Sequence, residues 1–338
     1  MATATKSAAP VIHTERRQRS LWRDAWRRLI ASFAGRVGLL MSGSLILLAL
    51  LINVVMPYEP LGDRNLRARL QPPSWLMDQA TLDRLELNRW SAPFGFDELG
   101  RDLFVRVLHG APISLSVGVF ATLFAVVVGS LLGLLAGYIG RWFDTIAVWF
   151  MDIMLAFPSI LLAIAITTAA GAPDSFSTRL FTQLAQVPGL GRIIDQRLFN
   201  AMLAIGIVEI PIFARIVRAT VISLRNQEFV TAARAIGTPG SRILFRHILP
   251  NSLAPLLVQA TLSMATAIIS VAALGFLGLG AQPPRPEWGT MLSGARDYVI
   301  QGVWWYPTFP GLAIIFTVLG FNLLGDGLRD ALDPRLRR

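Results

Sequence analysis

Six long apolar runs constrain this chain more than any other feature. A helix that crosses a bilayer needs about 20 consecutive, mostly apolar residues. The sequence offers such runs at 37–56, 113–138, 146–170, 201–222, 253–280 and 308–324. Four of them, the first, second, fifth and sixth, carry no charge. The third contains Asp152 and Pro158; the fourth contains Glu209, Pro211 and two arginines near its end. The first run lies too far from the N-terminus, and is too long, for an ordinary signal peptide. Composition agrees. Hydrophobic residues make up 54% of the 338 and charged residues only 15%, against about 25% charged in soluble domains. A disordered chain is excluded and an ordinary cytosolic enzyme is disfavoured. The fold class expected is an all-α integral membrane protein with six transmembrane helices.

The net charge is +10, which raises nucleic acid or an anionic membrane surface as partners. The placement of the charges decides between them. With six spans both termini share one side. Lys and Arg on that side number eight before the first run, one at Arg141, six from Arg215 to Arg246 and four after the sixth run, nineteen in all; the opposite side has twelve. Acids divide as seven and twelve, with two inside the runs, so one side is +12 and the other neutral. Positive charge is retained in the cytoplasm. Residues 1–36, the 223–251 loop and the 325–338 tail are therefore expected inside, and the 57–112, 171–200 and 281–307 loops outside. The basicity is topological; membrane lipid is the expected partner and nucleic acid is not. Within 1–36, Trp22, Trp26, Leu29, Ile30 and Phe33 fall on one helical stripe, with Arg23, Arg27 and Arg28 on the other side. This is the pattern of an interfacial helix.

Little here can carry covalent chemistry. The sequence has no cysteine, and its three histidines (His13, His109, His247) are far apart. It has no Gly-x-x-x-x-Gly-Lys-Ser/Thr loop for nucleotide phosphates and no Gly-x-Ser-x-Gly nucleophile motif. No catalytic, cofactor-binding or metal-binding residues are expected, and energy must come from a partner or an ion gradient. The informative stretch is the loop Glu228-Phe-Val-Thr-Ala-Ala-Arg-Ala-Ile-Gly237-Thr-Pro-Gly240. Its first part favours helix; Gly237 ends that helix, and Pro239-Gly240 makes a turn. A second short amphipathic piece, 241–249, is stopped by Pro250. Such a pair forms a knob on which Ala232, Ala233 and Ala235 allow another protein close approach, or it is an ordinary helical loop.

Charges at membrane depth are costly and face protein or water. Asp152 and Glu209 therefore either line a pathway or gate, or pair with arginines. Pro158 and Pro211 break hydrogen bonds in their spans and kink them, as hinges or as static bends. The Gly275, Gly278, Gly280 series permits close packing or a bend. The acids of 97–102 read as a cap before the second span, with contact to an outside binding protein as the alternative.

Five blocks in order carry a family resemblance. Ala232-Ala233-x-x-x-Gly237 followed by Arg246-His247-Ile248-Leu249-Pro250-Asn251 resembles the "EAA" coupling loop of ABC importer permeases. With it stand Phe94-Gly-Phe-Asp-Glu-Leu-Gly-Arg-Asp102, Asp152-Ile-Met-Leu-Ala-Phe-Pro158, Phe276-Leu-Gly-Leu-Gly280 with Trp288-Gly289, and Asn322-Leu-Leu-Gly-Asp-Gly-Leu-Arg-Asp330. The chain is similar to the C-type permease subunit of the oligopeptide/dipeptide/nickel importer family. It departs from the general pattern at Thr231, His247 and Phe96.

The resemblance implies type I importer architecture in a bacterial or archaeal inner membrane. It implies a second homologous permease completing a twelve-span pore, and an extracytoplasmic substrate-binding protein. Two cytoplasmic ATPases would hold the ATP and Mg, leaving this chain without a cofactor. Glu228, Ala232, Ala233, Gly237, His247 and Pro250 would form the ATPase-coupling site, with Asp152, Glu209 and Pro158 as candidate pathway or gate residues. The implied substrates are di- or oligopeptides, with nickel chelates, glutathione and oligosaccharides as alternatives. Outside the family stand a gradient-driven transporter using Asp152 or Glu209 as a proton site, and a non-transporting scaffold.

Overall fold

The computed structural model describes residues 21–59, 64–186 and 195–333. Its helices are α1 (Leu21–Ala31), α2 (Phe33–Val55), α3 (Gln79–Leu85), α4 (Leu103–Ile139), α5 (Arg141–Ala156), α6 (Ser159–Ala170), α7 (Phe176–Leu184), α8 (Gln196–Leu224), α9 (Glu228–Ala235), α10 (Gly240–Phe276), α11 (Trp288–Ala295) and α12 (Trp305–Leu332). Among the described residues there is no strand, only an isolated bridge between Phe96 and Asp102.

α2, α4, α8, α10 and α12 are each long and apolar enough to cross a membrane. Every one extends beyond an apolar run, because capping groups lie in the flanking polar sequence. Ser32 accepts the Gly35 N–H at 3.0 Å and separates α1 from α2. Asp102 accepts from Phe104 N–H and Asp195 from Leu198 N–H, each at 2.8 Å, starting α4 and α8. At 37 residues, α4 is about 55 Å long. The 146–170 run is not one continuous helix. It folds as α5 and α6, which meet at 100°. Pro158 lacks an N–H and drives its predecessor out of the helical region; Phe157 accordingly sits at φ −85°, ψ 141°.

Small residues allow close helix crossings. Gly129, Gly133 and Gly137, four apart on α4, lie against α8. A methyl at Gly129 would stand 2.7 Å from the Ile210 carbonyl oxygen, and one at Gly137 2.8 Å from Val221 Cβ. Gly38 of α2 rests on the backbone of Leu323 and Leu324, and Gly320 of α12 on Met41 and Ser42. This small-residue seam lets helices pack where lipid offers no hydrophobic drive to associate. One end of the bundle carries the α9–α10 hairpin. At the other end residues 64–102 fold around Ala68, Met77, Leu82, Leu85, Ala92 and Phe96.

Candidate functional site

The hairpin is built from its turn outwards. In α9 the Thr238 N–H bonds the Ala233 carbonyl and the Gly237 N–H bonds that of Arg234, each at 3.0 Å. With Gly237 at φ +80°, this is a Schellman stop, for which glycine is the low-strain residue. Glu228 opens α9, where a negative charge suits the helix dipole. Val230 and Ala233 turn inwards onto Ile243, Leu244, Ile248 and Leu256 of α10, Leu134 of α4 and Val217 and Val221 of α8. Ala232 is exposed. The two alanines thus differ, one exposed and one buried, and Ala233 locks the hairpin to its own chain.

Pro250 does not stop the second helix. α10 runs through it as one 37-residue helix. The turn Leu244–Ile248 widens to a π-turn, with the Leu249 N–H reaching the Leu244 carbonyl. A widened turn accommodates the bond that proline cannot make. His247 is half-buried and Pro250 exposed; the His247 carbonyl accepts from Asn251 Nδ2 at 2.6 Å. The surface that projects is apolar. Ile236 is 83% exposed, with Phe229 and Phe245 beside it at 42% and 53%. Of these three only Ile236 adjoins the glycine stop; Phe229 and Phe245 lie eight residues to either side of it, and their exposure emerges only from the fold.

The two acids of the spans have different surroundings. Asp152 on α5 accepts from Arg215 on α8 at 2.8 Å, and both side chains are exposed in the single chain. Eight residues earlier on α5, Asp144 takes two bonds from Arg218, at 2.5 and 2.7 Å. These pairs tie α5 to α8 just before the Pro158 bend. Glu209 is buried between α8 and α10; Thr266 Oγ1 donates to its Oε1 at 3.1 Å, and no arginine approaches it among the described residues. Asp152 therefore has the arginine partner that the structural alternative required, and Glu209 does not.

At the opposite end, Asp97 is fully buried. Its Oδ2 lies 2.6 Å from Arg101 Nε and 3.3 Å from Arg106 Nε, and its Oδ1 accepts the N–H groups of Leu99 and Arg101. Glu98 joins through Arg101 and through the Tyr306 hydroxyl, and Arg106 donates to the Tyr58 hydroxyl at 3.2 Å. Glu98, Arg101, Arg106 and Tyr306, with Gln282 and Arg285, are among the residues that line a cavity of about 270 Å³. The 97–102 segment is thus both the cap that its acids suggested, through Asp102, and a buried ionic core. Nearby, Glu287 caps α11 by accepting from Gly289 and Thr290 N–H at 2.7 and 2.8 Å. Burial pushes its carboxyl up to about 7, against those donors. No group of three or more His, Cys, Asp or Glu side chains suited to a metal ion occurs among the described residues.

A long α4–α8 pair, a bent α5–α6 unit and an apolar helix–turn–helix knob define a multi-pass membrane protein of the permease class. The chain belongs to the binding-protein-dependent transport system inner membrane components, whose family model matches residues 129–338. Residues 20–73 match the N-terminal transmembrane domain of oligopeptide transport permease C. It is a permease subunit of a binding-protein-dependent importer. The chain is 47% identical to the dipeptide transport system permease protein DppC of Alkalihalophilus pseudofirmus, covering 94% of this chain and 91% of that protein. It is 42% identical to the di/tripeptide permease DppC of Pseudomonas aeruginosa, covering 93% and 92%. It is 39% identical to the glutathione permease GsiD of Pectobacterium atrosepticum, covering 99% and 97%.

Proposed function

We propose that this chain forms half of the translocation pathway of an ATP-driven importer of di- or oligopeptides. The observation that carries the substrate class is the 47% identity, over nearly the whole chain, to a dipeptide permease. A second homologous permease subunit completes the pathway. Two ATPases bind and hydrolyse ATP beneath it, and an extracytoplasmic binding protein delivers the peptide.

In this reading the bent α5–α6 pair crosses as the sixth span, which puts both termini and the hairpin in the cytoplasm, as the charge distribution favours. The exposed rim of the hairpin, Phe229, Ile236 and Phe245 with Glu228 and Ala232, seats in the ATPase. Ala233, Gly237, His247 and Pro250 hold the hairpin in shape. ATP-driven closure of the ATPase pair moves α9, and α10 carries that motion directly into the membrane because it is one helix from Gly240 to Phe276. The Asp144–Arg218 and Asp152–Arg215 pairs make α5 follow α8 up to the Pro158 bend, which serves as the hinge. Glu209 stays in the α8–α10 seam.

The test is uptake of a radiolabelled dipeptide by cells that carry or lack this chain, with glutathione and a nickel chelate as competitors. Loss of dipeptide uptake in the deletion, restored by the wild-type chain, supports the reading. Glutathione is the second reading, favoured by the relatives that match 99% of the chain; it predicts that glutathione, and not the dipeptide, is the transported species.

A further inference from the structure

α1 divides into three sectors around its axis. At 3.6 residues per turn, Leu29 defines the first. It is buried and fills the space left by Gly35 of α2 and Gly327 of α12; its Cδ1 lies 3.1 Å from where a methyl on Gly327 would stand. Turning outwards, Trp26 and Ile30 form the second sector at 55% and 43% exposure, followed along the chain by Phe33. Leu40, Leu47 and Leu50 of α2 continue this exposed apolar surface along the span. The third sector is Arg23 and Arg27, one turn apart and both exposed. Among the described residues neither forms an ion pair with an acid. The acid of α1, Asp24, is half-buried and lies beyond Arg27 towards the half-buried Arg28.

We propose that Arg23 and Arg27, with Trp26 beside them, bind the phosphate of an anionic phospholipid. The order of the sectors carries the assignment: protein, then a lipid-facing apolar stripe with a tryptophan, then unpaired guanidinium groups. That sequence matches the passage from hydrocarbon to headgroup. Guanidinium is suited to phosphate because its donors form a planar fork. An acidic protein surface would also complement the arginines, but the stripe that flanks them continues into a span, so the occupant must present hydrocarbon as well as negative charge.

The test is native mass spectrometry of the full-length chain in neutral detergent, titrated with phosphatidylglycerol or phosphatidylcholine. The wild type is expected to retain phosphatidylglycerol preferentially. The Arg23→Gln/Arg27→Gln chain should lose that preference, by about fivefold per arginine, with phosphatidylcholine binding and melting temperature unchanged. Arg27→Gln alone should lose about fivefold, and Arg23→Lys/Arg27→Lys, which keeps the charge without the planar fork, should fall between the wild type and the Gln variant. Arg64→Gln/Arg67→Gln, at the other end of the bundle, should behave as wild type. Equal retention of the two lipids by the wild type would overturn the proposal. So would a Gln variant that still prefers phosphatidylglycerol, or one that loses both lipids together.

Discussion

The two ends of the helix bundle are finished differently. At the 64–102 end one cluster of charges is inside and paired: Asp97 holds Arg101 and Arg106, Glu98 holds Arg101 and Tyr306, and Trp288 Nε1 donates to the Val107 carbonyl at 2.9 Å. Even the buried His109 ring has a carbonyl oxygen 2.8 Å from each nitrogen, Val105 on one side and Met56 on the other. At the hairpin end, apolar side chains are outside: Ile236, Phe229 and Phe245 project, and the Asp152–Arg215 pair is exposed in the single chain. At the first end an ionic core closes within the single chain, although Trp90 and Leu66 stay exposed on its surface. At the second the exposed apolar side chains sit on a short helix–turn–helix knob, a surface suited to a partner. The comparison separates a structural pole from a docking pole, and substitutions at the two should fail in different ways.

The largest effect is expected at the closed pole. Asp97→Ala strands two buried arginines, and breaking one side of a buried ion pair costs about 3–5 kcal/mol. The variant should fail to accumulate, or should melt far below the wild type in detergent; a wild-type melting temperature would show that this core is not structural. Next comes Ala233→Glu. Its carboxylate would enter the Val230–Ile248 cluster without a cation, at a cost of several kcal/mol. The hairpin should loosen and uptake should be lost, while membrane insertion, read by membrane fractionation, is kept.

A smaller effect follows from Glu287. Its carboxyl is raised to about 7 by burial, so the folded state holds the proton more tightly than the unfolded chain. The stability this contributes is full below the ordinary carboxyl range near 4.5 and is lost as pH rises through 7. Melting temperature should therefore fall from pH 5 to pH 8 more in the wild type than in Glu287→Gln; identical pH profiles would refute this. The smallest effect is Asp152→Asn. Exposed pairs are worth about 0–1 kcal/mol, so the melting temperature should hardly move. A shift in transport rate without one would place Asp152 in the moving parts.

Much of this arrangement was legible in the sequence, to different depths. The long helices followed from apolar length alone, since a spanning backbone must satisfy its own hydrogen bonds. Gly237 was legible because a glycine after an alanine-rich helix, with Pro239-Gly240 next, leaves few other conformations. Pro250 misled because a π-turn upstream absorbs its missing bond, and no composition signal marks such a turn. At Pro158 the sequence predicts a kink within a span; its effect on Phe157 makes a 100° corner instead. The burial of Ala233 was legible only through Val230 three residues earlier, since both lie on one face of the short helix and alanine alone does not mark a side. Asp152 and Arg215 are 63 residues apart, and spacing alone does not pair them. The burial of Asp97 was hidden for the opposite reason: a block rich in acids and arginines looks solvated until the fold closes over it. The seam of Gly129, Gly133 and Gly137 against α8 comes from the structure, because glycines four apart do not say which helix they face.

The central claim is that the apolar rim of the hairpin docks on an ATPase. The direct measurement is site-specific photo-cross-linking in native membranes, with a photoreactive amino acid at Ile236 and, as the comparison, at Trp90, which is 78% exposed at the opposite pole. The account predicts a covalent adduct between position 236 and an ATPase subunit, and none from position 90. An ATPase adduct from position 90, or its absence from position 236 in membranes that transport normally, would contradict it.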